Sequence, residues 1–530
     1  MDYDNFYQIA AYNIGVRTAT AYLFGVALLL IASILRSIII QSNKETESNG
    51  ELNKSEYQDL RDMPGPKPML IIGNLHQLKP QADEPPYAAF TRLAKTYGPV
   101  YKLEMGAIKC AVVNELENMR EVLIAKGNHF DGRPNFWRYK EIFSGDKENS
   151  LAFCDWSDVQ KSRREMLRAH TFPRTYSARG VEMDGLIGEQ MTIMSKIIQE
   201  SDKDSPLPIK PLLLQTCANI FTRYFCSRSF DFDHEGFQNT VEDFDEIFYE
   251  VNQGYAADFL PFLSPLHEKR MRDIKVKSHR IRDFVLEEII GDRFENWKPG
   301  DTQNDYVDSL VEYVRGEGTP ALSWDMALFA LEDILGGHSA IGNLMVKVLG
   351  YVACRQDVQN QMQQEVDNAI GQEDSCRRPG LTDRVNMPYT EAVILEAIRL
   401  IASPIVPHVA NKDSAIAGYK VEKGTLIFLN NYHLNMSPEL WDEPESFKPE
   451  RFLRSGRLVK PEHFLPFGGG RRSCMGYKLV QWCSHAILAN LMKDFTIQPV
   501  EGDLYKVPVG NLAMPKDSFR FRFLARSGQT

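Results

Sequence analysis

The chain has 530 residues, of which 43% are hydrophobic and 25% are charged. These are the proportions of a globular protein, and they exclude a disordered chain, a collagen-like chain and a membrane protein with many spans. With 61 Lys and Arg against 71 Asp and Glu, the net charge is −10, so we expect no nucleic-acid partner. The 8 Cys form no C-x-x-C pair and do not have the His spacing of a zinc site, which argues against structural zinc and a disulfide framework.

The first notable segment is an apolar run near the amino terminus. Residues 18–35 carry no charge, and residues 37–40 extend the run past Arg36. As a helix rising ~1.5 Å per residue, residues 18–40 span about one bilayer core. A buried soluble helix is the alternative, but the run is apolar on every side. The sequence therefore predicts a tail at 1–17 and one transmembrane anchor at 18–40. Arg36 and Lys44 favour a cytosolic body.

A polar and Pro-rich linker is predicted at residues 41–68, directly after the anchor. It ends in Met-Pro-Gly-Pro-Lys-Pro at 63–68, where three prolines fix φ and favour stiff, extended chain. We therefore expect this segment to set the orientation of the body, which the sequence places at residues 69–530.

The body is predicted to be a single large domain, mainly α with small β-sheets. Most of residues 176–400 have the periodicity of helices, including a long apolar stretch at 321–354 that is interrupted by Gly336 and Gly337. Another helix is predicted at 479–495. Strand-like patterns occur at residues 100–103, 110–113, 415–429 and 506–523.

The most informative segment is a glycine-dense, basic loop at 464–476, with the sequence FLPFGGGRRSCMG. Its Cys474 precedes a predicted helix start, and Arg471 and Arg472 lie beside it. Helix-start N–H groups and nearby guanidinium groups lower the pKa of a thiol, so these residues predict a thiolate. Such a thiolate can be a nucleophile, a metal ligand or an axial ligand of haem.

The loop resembles the haem-binding loop of the cytochrome P-450 family in the spacing of Phe467, Gly470, Arg472, Cys474 and Gly476. The resemblance implies the cytochrome P-450 fold, a haem-thiolate catalytic domain and haem b whose iron is bound by the Cys474 thiolate. It further implies that Arg472 pairs with a haem propionate and that Phe467 packs near the sulfur. Gly470 and Gly476 would be required by the backbone geometry.

Two further motifs occur in the order that the family shows. Glu396 and Arg399 are three residues apart on a predicted helix, and Arg451 follows in a Pro-Glu-Arg-Phe segment. These three residues resemble the structural triad of the family, in which one buried carboxylate is shared by two arginines.

The propionate-binding residues are less regular. The family usually places Trp and Arg four residues apart on one helix, but here Gln160 stands four residues after Trp156. Arg163 or Arg164 could take the propionate role, and the sequence does not decide between them. His408 falls where the family commonly uses Arg or His for a propionate. A loop histidine without cofactor contact is the alternative.

The central helix departs further from the family. The usual (Ala/Gly)-Gly-x-(Asp/Glu)-Thr segment, which organises water and protons, reads Gly336-Gly337-His338-Ser339-Ala340 here. Ser339 stands at the acid position, and Ala340 stands at the alcohol position without donor or acceptor. Gly336 and Gly337 still permit a bulge where oxygen could sit, so the catalytic candidates are these two glycines and Ser339.

This departure leaves three hypotheses open. Protons could arrive through water held by Ser339 or through a substrate hydroxyl. The reaction could instead be an isomerisation or dehydration without O₂, or the protein could bind haem and a sterol without turnover. Residues 331–343 are similar to the insect ecdysteroid-forming (Halloween, Spook-type) branch, which implies a sterol monooxygenase at an early step of moulting-hormone synthesis.

The resemblance also implies partners and a location. Anchored members of the family take electrons from an NADPH-dependent flavoprotein reductase and lie on the endoplasmic reticulum membrane with the catalytic domain facing the cytosol. A basic patch for that reductase is predicted at Lys161, Arg163, Arg164, Arg471 and Lys478. Aromatic residues available for a sterol pocket are Phe136, Trp137, Phe143, Phe259 and Phe262.

Overall fold

The computed structural model describes residues 57–526 except 58, 82–83, 86, 203–204 and 372–376. The predicted tail at 1–17 and the predicted anchor at 18–40 lie outside the described residues. Within the part of the chain that is described, none of the helices combines the length and the apolar character needed to cross a membrane.

Helices make up most of the described chain, which confirms the mainly α prediction. The α-helices are α1 Ala88–Tyr97, α2 Leu116–Arg120, α3 Trp137–Ile142, α4 Asp158–Thr171, α5 Ala178–Glu200, α6 Ile209–Cys226, α7 Glu235–Val251, α8 Glu268–Phe284, α9 Arg293–Asn296, α10 Tyr306–Arg315, α11 Trp324–Leu335, α12 Gly337–Val352, α13 Gln356–Ile370, α14 Pro388–Ile401, α15 Asn431–Met436 and α16 Tyr477–Asp494.

The strands are short and form small sheets. They are β1 Val100–Met105, β2 Ile108–Val113, β3 Leu207–Pro208, β4 His408–Val409, β5 Ser414–Ile416, β6 Tyr419–Val421, β7 Leu426–Leu429, β8 Leu453–Arg454, β9 Arg457–Leu458, β10 Phe495–Pro499 and β11 Arg520–Ala525. The largest sheet has the order β1-β2-β7-β4, and a second has the order β10-β11-β3. In the first sheet β2 pairs with β7 in parallel, while the other pairings are antiparallel.

The core is built around α12, which packs against α6. Nearly every side chain of α12 is buried, as expected for a helix that is apolar all round. The two helices approach closely at Gly342, where a Cβ would lie 2.6 Å from Cδ2 of Leu214. A glycine therefore allows the contact that places the central helix in the middle of the domain.

The predicted long helix at 321–354 is two helices joined at Gly336. The amide of Ser339 donates to the carbonyl of Gly336 at 3.1 Å, a bond over three residues instead of four. This tighter turn separates α11 from α12. The glycine pair thus changes the helical geometry at the position that the sequence analysis singled out.

One strand prediction is corrected by the structure. Residues 506–519 are not a strand, and only β11 is found in the predicted 506–523 region. Pro508 and Pro515 remove amide donors there, and Nζ of Lys347 holds the loop by donating to the carbonyl of Pro508 at 2.9 Å. The end of the predicted linker packs on the domain, since Met63 is buried and the carbonyl of Pro64 accepts from the amide of Lys102.

Candidate active site

An internal cavity of about 440 Å³ lies between the central helix and the cysteine loop. Cys474 and Phe467 line it from the loop, and Gly337, Ala340 and Ile341 line it from α12. Larger clefts lie at the protein surface among charged and polar side chains and lack these motif residues. The cavity therefore gathers the glycine-rich loop and the central helix into one site.

The cysteine loop is fixed by backbone contacts. The amide of Cys474 donates to the carbonyl of Phe467 at 3.0 Å, which closes the loop just before α16 begins. Gly470 has φ +65°, and a Cβ there would lie 1.9 Å from the carbonyl oxygen of Leu123. Only glycine fits this position, because both the backbone conformation and the close approach exclude a side chain.

Gly476 differs from Gly470 in its backbone conformation. Its φ is −91°, which any residue can adopt, and the protein places nothing within 4 Å of a Cβ built there. Gly476 lines the cavity. The space beside it thus belongs to the cavity, where a flat group could approach the backbone.

Burial and nearby donors act on the Cys474 thiol in opposite directions. Cys474 lines the cavity, and burial raises the pKa of its thiol. The amide of Gly476, the charge of Arg164 and the amide of Tyr477 lower this pKa. A metal ion coordinated by the sulfur would deprotonate it, so this site suits a ligand to iron better than a free nucleophile.

Four cationic or titratable side chains line the cavity near the loop: Arg133, Arg164, His408 and Arg472. In the described part of the chain their side chains donate to backbone carbonyls and to no carboxylate. The acceptors are the carbonyls of Ala152, Val406 and Pro407 for Arg133, Ser473 for Arg164, Phe130 for His408, and Ala152 and Cys154 for Arg472.

A bound anion would stabilise the positive charge that these side chains bring into the cavity. Burial first, and then the like charge of Arg472, lowers the pKa of Arg133 and lowers that of Arg164 to about 10. Burial and Arg133 lower the pKa of His408. Nη1 of Arg472 is buried without a hydrogen-bond partner among the described residues. Two carboxylates, such as the propionates of a haem, would satisfy this cluster, so the residues present fit the cofactor.

The structure separates the two arginines that the sequence left open. Arg164 lines the cavity, whereas Arg163 is buried behind it and donates to the carbonyls of Asn149 at 2.8 Å and Glu148 at 3.1 Å. Trp156 lies outside the cavity lining, beneath the guanidinium of Arg471 at 5.1 Å from the ring centroid. Arg164 is therefore the residue of this helix that is placed to meet a propionate.

Sequence reasoning missed Arg133. It lies in an Asp-Gly-Arg-Pro segment that matches none of the motifs used, and its role depends on a fold that brings it beside Arg472. Its backbone amide donates to Oδ1 of Asp155 at 2.8 Å, which fixes the segment at the cavity wall. A pairing between segments far apart in the chain leaves no local signal.

The triad residues meet in the structure. Nε and Nη2 of Arg399 donate to the two oxygens of Glu396 at 2.8 and 2.7 Å, and Nε of Arg451 donates to Oε1 at 3.0 Å. Both Glu396 and Arg399 are 0% exposed. The amide of Lys448 also donates to Oε1. These two buried ion pairs connect α14 to the segment that leads into the cysteine loop.

On the central helix, the predicted catalytic residues divide into two sets. Gly337 lines the cavity, together with Ala340, while Gly336 and Ser339 do not. Ser339 is fully buried, and its Oγ lies 3.4 Å from Nε2 of His338. Nδ2 of Asn343 donates to the carbonyl of Ser339 at 2.8 Å. Ser339 is therefore not placed to hold water inside the cavity.

Other expectations about side chains are also corrected. The aromatic residues proposed for a sterol pocket do not line the cavity. Phe136 and Phe143 belong to a separate hydrophobic cluster, Trp137 and Phe259 pack against that cluster, and Phe262 is exposed at the surface. The sequence showed that these aromatic residues were available for a pocket, but it could not show which cluster they join.

The predicted basic patch is incomplete. Arg163 is buried, and Arg164 turns into the cavity, so neither contributes to the surface. Arg471 is 40% exposed and pairs with Asp131 at 3.0 Å, and Lys478 donates to the carbonyl of Pro173. The surface near the loop therefore carries less positive charge than the sequence suggests.

A cysteine in a fixed loop that lines a largely apolar cavity, together with a cluster of arginines that lines the same cavity, fits a haem-thiolate protein. The family model for cytochrome P450 matches residues 63–523. Cytochrome P450 307a1 of Drosophila melanogaster is 40% identical over 499 residues, which cover 90% of this chain and 91% of the relative. Farnesoate epoxidase of Bombyx mori is 28% identical over 473 residues, covering 87% and 94%. Cytochrome P450 1A1 of Limanda limanda is 27% identical over 474 residues, covering 84% and 87%.

The chain therefore belongs to the cytochrome P450 family, and it is a haem-thiolate monooxygenase. When bound, the haem supplies the activation of O₂, which the cysteine thiolate promotes by donating electron density to iron. In this chain the cysteine loop would present the sulfur of Cys474 to the iron, and Arg133, Arg164 and Arg472 would be the residues that meet the propionates. A redox partner and a small-molecule substrate follow from membership of the family.

Proposed function

We propose that this monooxygenase oxidises a sterol at an early step of ecdysteroid synthesis. The proposal is supported by the match of residues 331–343 to the ecdysteroid-forming branch and by the 40% identity with cytochrome P450 307a1. One oxygen atom of O₂ enters the substrate, and the other leaves as water with two electrons and two protons. The electrons come from NADPH through a flavoprotein reductase.

The observation that carries this proposal is the lining of the cavity away from the cationic cluster. Apolar side chains from five segments meet there: Phe221, Phe248, Ile334, Ile341, Leu344 and Leu512. Apolar surface of this kind favours an apolar substrate, because burial gains roughly 25 cal/mol per Å². A rigid sterol skeleton gains most, since it has little conformational entropy to lose on binding.

We also propose that the protein acts at the endoplasmic reticulum membrane, with its catalytic domain facing the cytosol. The apolar run at 18–40 supports a single-pass anchor. The first residues of the body support contact with a membrane surface, because three consecutive apolar residues are exposed: Met69 at 55%, Leu70 at 99% and Ile71 at 41%. Exposed apolar patches of this kind are characteristic of membrane or protein contact sites.

The experiment that tests this function is reconstitution of the purified full-length chain with haem, a microsomal reductase and NADPH. Cholesterol and 7-dehydrocholesterol are supplied in turn, and products are analysed by mass spectrometry. We expect a product whose mass requires oxygen insertion or desaturation, formed only with NADPH and O₂. Omission of the reductase and the Cys474→Ser variant are the controls. If neither sterol is consumed when the reductase, NADPH and O₂ are all supplied, the result contradicts the proposal.

A second candidate function is a sterol isomerisation or dehydration without O₂. It is favoured by one observation, which is that Ala340 presents no hydroxyl to the cavity while Ser339 is buried away from it. The same reconstitution separates the two candidates. An anaerobic reaction without NADPH that still converts the sterol would support the second, whereas strict dependence on O₂ and NADPH supports the first.

A further inference from the structure

One acidic residue lines the cavity beside the catalytic segment. Asp333 lies near the end of α11, while Gly337 and Ala340 lie at the start of α12. All three line the cavity. In the described part of the chain, Asp333 is the only acidic residue of the cavity lining, and the motif of the family does not include it.

The two carboxylate oxygens of Asp333 have different environments. Oδ2 accepts hydrogen bonds from Oγ of Ser150 at 2.9 Å, from the amide of Leu151 at 2.6 Å and from the amide of Ala152 at 3.3 Å. Oδ1 has no hydrogen-bond partner among the described residues. The carboxylate is thus held in place by one oxygen while the other remains available to a ligand.

The surroundings of Asp333 favour a neutral donor over a cation. Burial raises the pKa of this carboxyl, and the three bonds to Oδ2 and the charge of Arg163 stabilise whatever negative charge remains. The neighbouring cavity wall includes the apolar side chains of Leu151, Ile334 and Leu344. It also includes the peptide of Ala152, whose amide donates to Asp333 and whose carbonyl accepts from Arg133 and Arg472. A hydroxyl can donate to Oδ1 without bringing a further charge into this part of the cavity.

We propose that Asp333 is a specificity-determining residue, whose free Oδ1 accepts a hydrogen bond from a hydroxyl group on an otherwise apolar substrate. The inference rests on the proposed sterol substrate and adds the polar contact that orients it. Pockets that bind apolar ligands commonly use a few placed polar groups to fix orientation. A site built around a substrate hydroxyl also rejects the analogue that lacks it, because the polar group of the protein is then left unpaired.

The experiment compares two ligands that differ only in the hydroxyl. The haem-loaded, full-length protein is titrated with cholesterol and with cholest-5-ene, and Kd is read from the change in haem absorbance. We expect the wild type to bind cholesterol roughly 10- to 100-fold more tightly, the range of a hydrogen bond to a charged group. Asp333→Leu, of similar size, should remove this preference. Asp333→Asn keeps an acceptor oxygen and should keep most of it.

Ser150→Ala is the matched control, because it removes one bond to Oδ2, together with the bonds that Oγ accepts from the amides of Ala152 and Phe153, and leaves Oδ1 untouched. Its preference for cholesterol should equal that of the wild type. The absorbance of the reduced carbonyl complex and the thermal unfolding midpoint verify that each variant is folded. If Asp333→Leu does not fold, Asp333→Ser is tested in its place. Serine has a shorter side chain, which withdraws the acceptor oxygen from the substrate hydroxyl, so this variant should also lose the preference for cholesterol.

Several outcomes would overturn the inference. An Asp333→Leu variant with an unchanged preference removes Asp333 from substrate recognition and leaves the sterol function intact. A 3β-amino analogue bound more than tenfold more tightly than cholesterol in an Asp333-dependent manner would show that the carboxylate recognises a cation. A wild type that binds neither sterol would overturn both this inference and the proposed function.

Discussion

Two glycine-rich segments line the same cavity, and the protein constrains them in different ways. In the cysteine loop, Gly470 is fixed by a backbone carbonyl 1.9 Å from where its Cβ would be. At the start of the central helix, a Cβ on Gly337 would meet only the ring of Phe221, at 3.2 Å. A backbone neighbour cannot move aside, while a side chain can. The loop therefore tolerates one geometry, and the helix start tolerates several.

This difference has a chemical counterpart. The loop positions a sulfur for one metal ion, and that requirement is the same whatever the substrate is. The helix start contributes the wall against which the substrate and water lie, so its residues can differ between enzymes. Ser339 and Ala340 depart from the family pattern on this side, whereas the residues of the cysteine loop match it.

The largest effect is expected for Cys474→Ser. The hydroxyl of serine is a far weaker acid and a poorer iron ligand than a thiol, so the thiolate-specific absorbance of the reduced carbonyl complex should disappear together with monooxygenase activity. Cys354→Ser is the control, because Cys354 is an exposed free thiol outside the cavity. A thiolate spectrum that persists in Cys474→Ser would remove this residue as the ligand.

Next in size is Glu396→Gln, which breaks the triad. It leaves the buried Arg399 and Arg451 without their shared carboxylate, and such a loss costs roughly 3–5 kcal/mol. The free energy of unfolding from urea denaturation measures the effect, and haem content should fall as well. Glu268→Gln is the control, because its pair with Arg272 is exposed on α8 and should be worth about 0–1 kcal/mol. Equal losses in the two variants would contradict a structural role for the triad.

A smaller effect is expected from two alanine substitutions within the cysteine loop. Gly470→Ala requires a left-handed backbone, at about 1–2 kcal/mol, and also a displacement of Leu123. It should lower the thermal unfolding midpoint and the haem content. Gly476→Ala has an allowed backbone and open space, so it should lower haem affinity while leaving the stability of the polypeptide near that of the wild type. Equal thermal destabilisation by both substitutions would show that the two glycines do not differ as described.

Much of the fold was predictable because its signals are local. Apolar periodicity indicates α12 and α16, and the spacing of Phe467, Gly470 and Cys474 indicates the haem loop within ten residues. The triad was also within reach, since Glu396 and Arg399 are three residues apart on one helix. These motifs were identified from neighbours in sequence, and the structure places them as expected.

The remainder depends on contacts between distant segments. Arg133 reaches the cavity through a loop that carries no motif, and Asp333 acquires its role from the backbone of residues 150–152. The choice between Arg163 and Arg164 depends on which side of the helix faces the cavity, and the sequence motif does not specify that side. The failed strand prediction at 506–519 reflects apolar residues that pack as a loop because prolines interrupt the pairing.

The smallest effect, and the most direct test of the distal side, is expected for Ala340→Thr. Ala340 lines the cavity, so threonine would place a hydroxyl there, and the proportion of NADPH that leads to product should change. A single acid–base group typically contributes at least ~100-fold, and a hydroxyl without its usual acidic neighbour should contribute less. Ser339→Ala is the control, because the Ser339 hydroxyl does not line the cavity. A change in coupling for Ser339→Ala, with none for Ala340→Thr, would reverse the roles assigned to these two positions.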